Sequence, residues 1–207
     1  MSLWADPPVI GHNDRLKFMS KKLKIGVMGG IGSFSEEAAN YYCLKNKIKD
    51  FQIAYLITAE NVLKNLKNKK IDLGIFPIEN SNGGIVYEAV YAMAKYNFKI
   101  EQMFEIDIRH NLMARKGVKT ISINAITSHQ QALKQCRMYL KRRWPDAELQ
   151  EYKDTAEAAK DLSKGKLSAT TAVIAPKICA MLYDLEVLEE GIQDLKFNFT
   201  TFIAAKN

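Results

Sequence analysis

Short apolar runs alternate with helical stretches along most of the chain, and that alternation restricts the fold more than any other feature. Runs of β-forming residues bounded by Gly, Asn, Ser or Asp read as strands, and apolar positions three or four apart read as amphipathic helices. Residues 23–28 read as a strand, 29–35 as a Gly-rich loop and 36–47 as a helix. A strand at 52–56, a helix at 60–69, a strand at 73–76 and a helix at 85–96 continue the pattern. Residues 100–114 then alternate apolar and polar side chains (Met103, Phe104, Ile106, Ile108, Leu112), as a long half-exposed strand does. A second set follows: strands at 125–127, 149–152 and 172–175, with helices at 131–142, 155–164 and 176–183. Phe199, Phe202, Ile203 and Ala204 mark a last extended segment. Two βα sets with a return segment predict an α/β protein of two lobes with mixed sheets facing across a cleft. The first lobe is expected at about 22–99 and the second at about 100–183. The return segment, 184–207, is expected to line the cleft. Residues 1–21, with Pro7, Pro8, Gly11 and His12, read as an extension without a functional role.

Charge and cysteine usage narrow the function classes. The formal charge of +7 raises nucleic acid as a partner. The densest basic run (Lys64, Lys67, Lys69, Lys70) nevertheless shares a helix with Val62, Leu63 and Leu66, as on the solvated face of an amphipathic helix. Arg137, Lys141, Arg142 and Arg143 repeat that arrangement, and no aromatic residues interleave with them. A modest positive field that draws a small anionic substrate is the simpler expectation. Cys43, Cys136 and Cys179 occupy apolar positions without metal-ligand or CxxC spacing, so buried thiols in a reducing, cytoplasmic compartment are expected. No apolar run approaches the ~20 residues of a membrane span.

Five segments carry groups able to do chemistry. In residues 72–86 (DLGIFPIENSNGGIV) a short strand runs into Pro77, Glu79, Asn80, Ser81 and Asn82, then Gly83 and Gly84. Ground past the carboxyl end of a strand suits a small polar ligand, and it equally suits the cap of the next helix. In GGIGSFS (residues 29–35), Ser33 and Ser35 either cap the first helix or receive an anion there. The order of glycines is neither a dinucleotide fingerprint nor a P-loop. Ser128 and His129 start a helix, as caps or as cleft-facing groups. His110, on the long alternating strand, reads as a packed or interlobe histidine. Thr155 follows Asp154 at a helix start, and Thr200 and Thr201 lie between Phe199 and Phe202 near the carboxyl terminus.

Taken in order, GSFSEEAA, PIENSNGG, SHQQALKQC, TAEAA and NFTTF resemble the prephenate dehydratase family over about residues 22–205. The resemblance implies two α/β lobes of the type II periplasmic-binding-protein kind. It also implies conversion of prephenate to phenylpyruvate, with loss of water and CO2, in phenylalanine biosynthesis, without metal or organic cofactor. Thr200 matches the family's catalytic threonine, which helps the departing hydroxide leave. Asn80, Ser81, Ser128, His129, Thr155 and Phe202 match positions lining the family's site, with Ser33 and Ser35 as further polar contacts. The Thr200 hydroxyl is expected within bonding reach of the amide-bearing bend at Asn80. A homodimer or higher homo-oligomer is expected, and because the chain stops at Asn207, so is a catalytic domain without an ACT regulatory domain, leaving room for a separate regulatory partner.

The chain departs from the family pattern at several positions. Thr201 stands where the family has an arginine expected to pair with a substrate carboxylate, a contact of ~1.5–3 kcal/mol. Gly30 and Gln130 replace prolines, Asn82-Gly83 replaces Thr/Ser and Glu, and Pro176-Lys177 replaces small residues. Three outcomes follow from Thr201. Lys177, Arg109 or Lys153 takes over the carboxylate, or the site turns to arogenate, another cyclohexadienyl acid or decarboxylation alone. Otherwise the domain binds an aromatic acid without catalysis.

Overall fold

The computed structural model describes residues 22–207; the extension expected at 1–21, with His12, lies outside them. β1 (Leu23–Val27) and β3 (Leu73–Asn80) carry apolar runs buried within the sheet, and β2 (Phe51–Tyr55) forms the half-exposed edge beside β1. β1 pairs in parallel with both β2 and β3. β4 (Gly84–Ile85) turns back on β3, and β5 (Lys99–Asp107) and β11 (Phe199–Lys206) complete the sheet in the order β2-β1-β3-β11-β5. One face is covered by α1 (Phe34–Lys45), whose Ala38, Ala39 and Tyr42 pack with Val27, Phe104 and Phe202. The other carries α2 (Ala59–Lys67) and α3 (Tyr87–Lys95), where Val62, Leu66 and Ala89 pack with Phe76 and Ile203.

The second sheet runs β10-β6-β9-β7-β8, formed by β6 (Asn111–Arg115), β7 (Ala125–His129), β8 (Glu148–Tyr152), β9 (Thr171–Ala175) and β10 (Leu185–Glu189). α4 (Gln130–Gln135) and α5 (Arg137–Arg143) cover one face through Leu133 and Leu140 on Ile126 and Ile174. α6 (Thr155–Ser163) and α7 (Ile178–Leu182) cover the other through Leu162 and Cys179 on Val173. Both sheets mix parallel and antiparallel pairs, so the fold is α/β with two lobes.

Five elements differ from their sequence expectation, each because another segment pairs with it or caps it. β3 does not stop at Phe76 but continues through Asn80. A bulge against β11 skips Ile78, so Pro77, which has no N–H to donate, still fits the ladder. The stretch 100–114 is two strands rather than one. β5 belongs to the first sheet and β6 to the second, and the chain changes sheet at 108–110, where Ile108 N–H donates to Asn198 O at 2.7 Å. The lobe border therefore falls at that crossing instead of at residue 99. The return segment also divides, with β10 in the second sheet and β11 in the first. The helix expected at 131–142 breaks at Cys136, because the Asp194 carboxylate accepts from the amides of Met138 and Tyr139 at 2.7 and 2.8 Å and caps a second helix. The helix expected from Ile85 starts at Tyr87, its first residues being taken by β4.

Candidate active site

The register of β11 on β3 sets the centre of the site. Thr200 lies directly opposite Asn80 and is 7% exposed, at the wall of a cleft of about 660 Å3 between the lobes. Asn80 Nδ2 donates to Thr200 Oγ1 at 2.9 Å, to Asn198 Oδ1 at 2.9 Å and to Phe199 O at 3.2 Å. Its Oδ1 accepts from the Asn82 backbone N–H at 3.0 Å and from Gln135 Nε2 at 2.9 Å. Asn198 Nδ2 closes the circuit by donating to Gln135 Oε1 at 2.9 Å. Three amides from β3, α4 and the crossing before β11 thus form a ring that ties the lobes together beside the Thr200 hydroxyl. Gly83 lies under Gln131 of α4: a Cβ there would stand 2.7 Å from Gln131 Nε2, so that side chain would have to shift.

The glycine loop forms the second wall. Ser33 caps α1, accepting from Glu36 N–H at 3.4 Å, and both Ser33 and Ser35 line the cleft. Glu36 reaches back to the Gly32 N–H at 2.6 Å and accepts from the Tyr55 hydroxyl at 2.9 Å, which fixes the loop. Gly32 has φ +83°, and the second lobe docks on it: Cys179 Sγ donates to Gly32 O at 3.4 Å and Tyr183 OH to Ile31 O at 3.1 Å. Burial raises the thiols of Cys43, Cys136 and Cys179, to about 11 for Cys43, so none is a ready nucleophile at neutral pH.

Among the other residues singled out from the sequence, His129, Thr155 and Phe202 also line the cleft. His129 caps α4, its Nδ1 accepting from Gln131 N–H at 3.2 Å; at the start of α6 the cap is Asp154 rather than Thr155. Phe202 is buried and stacked on Phe104 at 5.9 Å, so it belongs to the core and the cleft wall together. Ser81, Ser128 and Thr201 do not line the cleft. Ser81 Oγ accepts from Phe199 N–H at 3.0 Å and staples the bend to β11. Ser128 is fully buried and donates to Ile174 O at 2.6 Å. Thr201 alternates to the opposite face of β11, where its hydroxyl donates to Glu105 at 3.2 Å. Arg109 and Lys177 line a different cavity beside Glu37, Glu105 and Asp107, where Arg109 pairs with Asp107 at 2.9 Å and Lys177 with Glu190 at 2.7 Å. Of the three candidate cations, Lys153 lines the main cleft, bonded to Glu157 at 2.7 Å, and Lys160 of α6 joins it there.

Sequence reasoning quoted Gln135 and Asn198 only within the motifs SHQQALKQC and NFTTF, gave neither a place in the site, and gave His110 no chemical role. Gln135 follows Gln131 by one helical turn and shares its face, a spacing that signals a polar stripe turned to the cleft. Asn198 opens the NFTTF motif, but its partners depend on how two crossings meet, which no spacing shows. His110 is 3% exposed and its Nε2 lies 2.7 Å from Gln135 Oε1. Burial pulls its pKa below the usual imidazole range, and the bond to Gln135 restores part of that loss.

A cleft of this size, with serines and a helix start on one side, Lys153 and Lys160 among Asp154 and Glu157 on the other and a hydroxyl held by an amide, suits a small polar ligand. Among the described residues no cluster of three or more His, Cys, Asp or Glu is placed to hold a metal ion, and no helix is long and apolar enough to cross a membrane. Comparison with known proteins agrees with this chemistry. The family model for prephenate dehydratase matches residues 25–207. A bifunctional chorismate mutase/prephenate dehydratase of Pseudomonas aeruginosa is 31% identical over 91% of this chain and 50% of its own length. A prephenate dehydratase of Methanocaldococcus jannaschii is 35% identical over 83% of this chain and 60% of its own. The chain thus spans about half the length of the first curated relatives it matches. Among solved structures, a prephenate dehydratase of Arthrobacter aurescens in complex with L-Phe superposes with a TM-score of 0.79 at 25% identity, covering 89% of this chain and 60% of that one. With the family model matched across nearly all of its described length, this chain belongs to the prephenate dehydratase family.

Proposed function

We propose that this chain converts prephenate to phenylpyruvate, removing water and CO2 in the cleft around Thr200, as a step of phenylalanine biosynthesis. The observation that carries the reading is the bond from Asn80 Nδ2 to Thr200 Oγ1 at 2.9 Å. Because Oγ1 accepts from Asn80, its own proton is left for an oxygen in the cleft. The bond from the ring to the substrate carboxylate breaks, its electron pair enters the ring as the ring becomes aromatic, and the carbon–oxygen bond to the ring hydroxyl breaks. The departing oxygen takes the Thr200 proton and leaves as water. Asn80 stabilises the charge left on Oγ1 until solvent returns a proton, so one proton is consumed overall. Threonine is a weak acid, and its value lies in a hydrogen bond that strengthens as the oxygen becomes hydroxide-like.

The two carboxylates of prephenate are matched by Lys153 just before α6, which would exchange its bond to Glu157 for the substrate, with Lys160 in the last turn of α6, and by Ser33 and Ser35 at the positive end of α1. Thr201 has its partner in Glu105 on the far face, which supports a carboxylate site independent of position 201. The three free, buried cysteines favour work in the cytoplasm. Exposed Ile100 and Met103 on the edge strand β5 favour self-association as a homodimer or higher homo-oligomer. The test is to incubate purified, folded protein with prephenate and follow phenylpyruvate by its absorbance in alkali. Enzyme-dependent product is expected, and no product above the uncatalysed background would overturn the reading.

A further inference from the structure

His110 stands where the chain crosses between the sheets, packed edge-on against Phe34 with ring centroids 5.5 Å apart. Its Nε2 meets Gln135 Oε1 at 2.7 Å, and among the described residues its Nδ1 has no partner. The ring of amides gives this contact its meaning. Asn80 donates to Asn198, Asn198 to Gln135 and Gln135 to Asn80, head to tail. Such a circuit also closes when all three amides flip together, because the two ends of an amide have nearly the same shape.

The two senses treat Thr200 differently. In the observed sense Asn80 presents Nδ2 to Thr200 and the hydroxyl proton is free. In the reversed sense Asn80 would present Oδ1, Thr200 would commit its proton there, and no donor would face the leaving oxygen. Only partners of fixed polarity choose between the senses. At Asn80 these are the Asn82 N–H and the Phe199 carbonyl. At the far corner, on Gln135, the partner is His110, whose polarity is set by its other nitrogen: Nδ1 is buried and meets no partner among the described residues. A proton there would be buried and unpaired, which favours the tautomer with the proton on Nε2, where Gln135 Oε1 accepts it, and leaves Nδ1 bare.

We propose that His110, as the Nε2–H tautomer, is a positioning residue that holds the Gln135–Asn80 circuit in the sense that leaves the Thr200 proton available to substrate. This rests on the dehydratase reading of Thr200. Burial of the ring, which disfavours its charged form, acts in the same direction.

The test compares His110→Leu, which removes the donor, with His110→Gln, whose amide donor reaches about as far as Nε2. For His110→Leu, kcat with prephenate is expected to fall about 10- to 100-fold while KM stays within about threefold. His110→Gln should restore most of that loss. In a Thr200→Ala background, His110→Leu should have no further effect on kcat, since the proton it protects is gone. Equal losses in the Leu and Gln variants, or the same loss with and without Thr200, would overturn the proposal. Should His110→Leu fail to fold, long-range nitrogen–proton NMR of the wild-type imidazole decides. Protonated Nε2 with bare Nδ1 supports the assignment, and the opposite tautomer overturns it. Absence of product from the wild type would sink the dehydratase reading instead, leaving the tautomer to be decided by NMR.

Discussion

At the scale of single residues, the site depends on which way side chains alternate along one strand. Thr200 and Phe202 face the cleft, so Thr201 between them cannot, and its hydroxyl bonds to Glu105. An arginine introduced at 201 would meet Glu105 on the outer face as an exposed ion pair, a contact of ~1 kcal/mol or less. Thr201→Arg is therefore expected to change KM for prephenate by less than about threefold in steady-state assays, whereas a tenfold fall would show that the guanidinium reaches the substrate. Thr200 and Asn80 could be singled out only through the ordered motifs that carry the family resemblance, since each segment alone reads equally as a strand or a cap; the structure bonds the two side chains to each other. The meaning of the substitution at 201 was not legible in the sequence, since alternation assigns a face only once β11 is known to be a strand between β3 and β5. His110 was hidden for a related reason. Its apolar neighbours describe a packed side chain, and only the crossing at 108–110 brings Gln135 to it.

At the scale of elements, the contact between the glycine loop and α7 leaves no room for added bulk. Gly32 has φ +83°, and a Cβ there would stand 2.9 Å from Cys179 Sγ, so Gly32→Ala combines backbone strain with a clash across the lobes. The variant is expected to lose ~1–3 kcal/mol in urea unfolding. An unchanged midpoint and slope would mean that the loop does not bear on α7. Element types followed well from periodicity, and their boundaries failed where a distant group intervened. Asp194 ends α4 by capping α5 from 56 and 55 residues away, and nothing near Cys136 announces it. β3 outruns Phe76 because a bulge in its pairing with β11 accommodates Pro77, a compensation visible only across strands. β10, with alternating Leu185, Val187 and Glu186, was readable as a strand but merged into the return segment.

At the scale of the whole molecule, two lobes meet along two chain crossings, held at Ile108 to Asn198 and again through the ring of Asn80, Gln135 and Asn198. The same ring that joins the lobes also holds the proposed proton donor, so cleft geometry and catalysis are one arrangement. The alternation of strands and helices foretold two lobes and a cleft; it could not say which sheet claims β5, because that depends on where the chain crosses. The central claim is that the Thr200 hydroxyl supplies the proton for the leaving oxygen. The direct measurement is kcat and KM for prephenate in Thr200→Ala beside the wild type. The account predicts a fall in kcat of ~10²–10⁴-fold with KM within about threefold. A Thr200→Ala enzyme whose kcat stays within about threefold of wild type would contradict it.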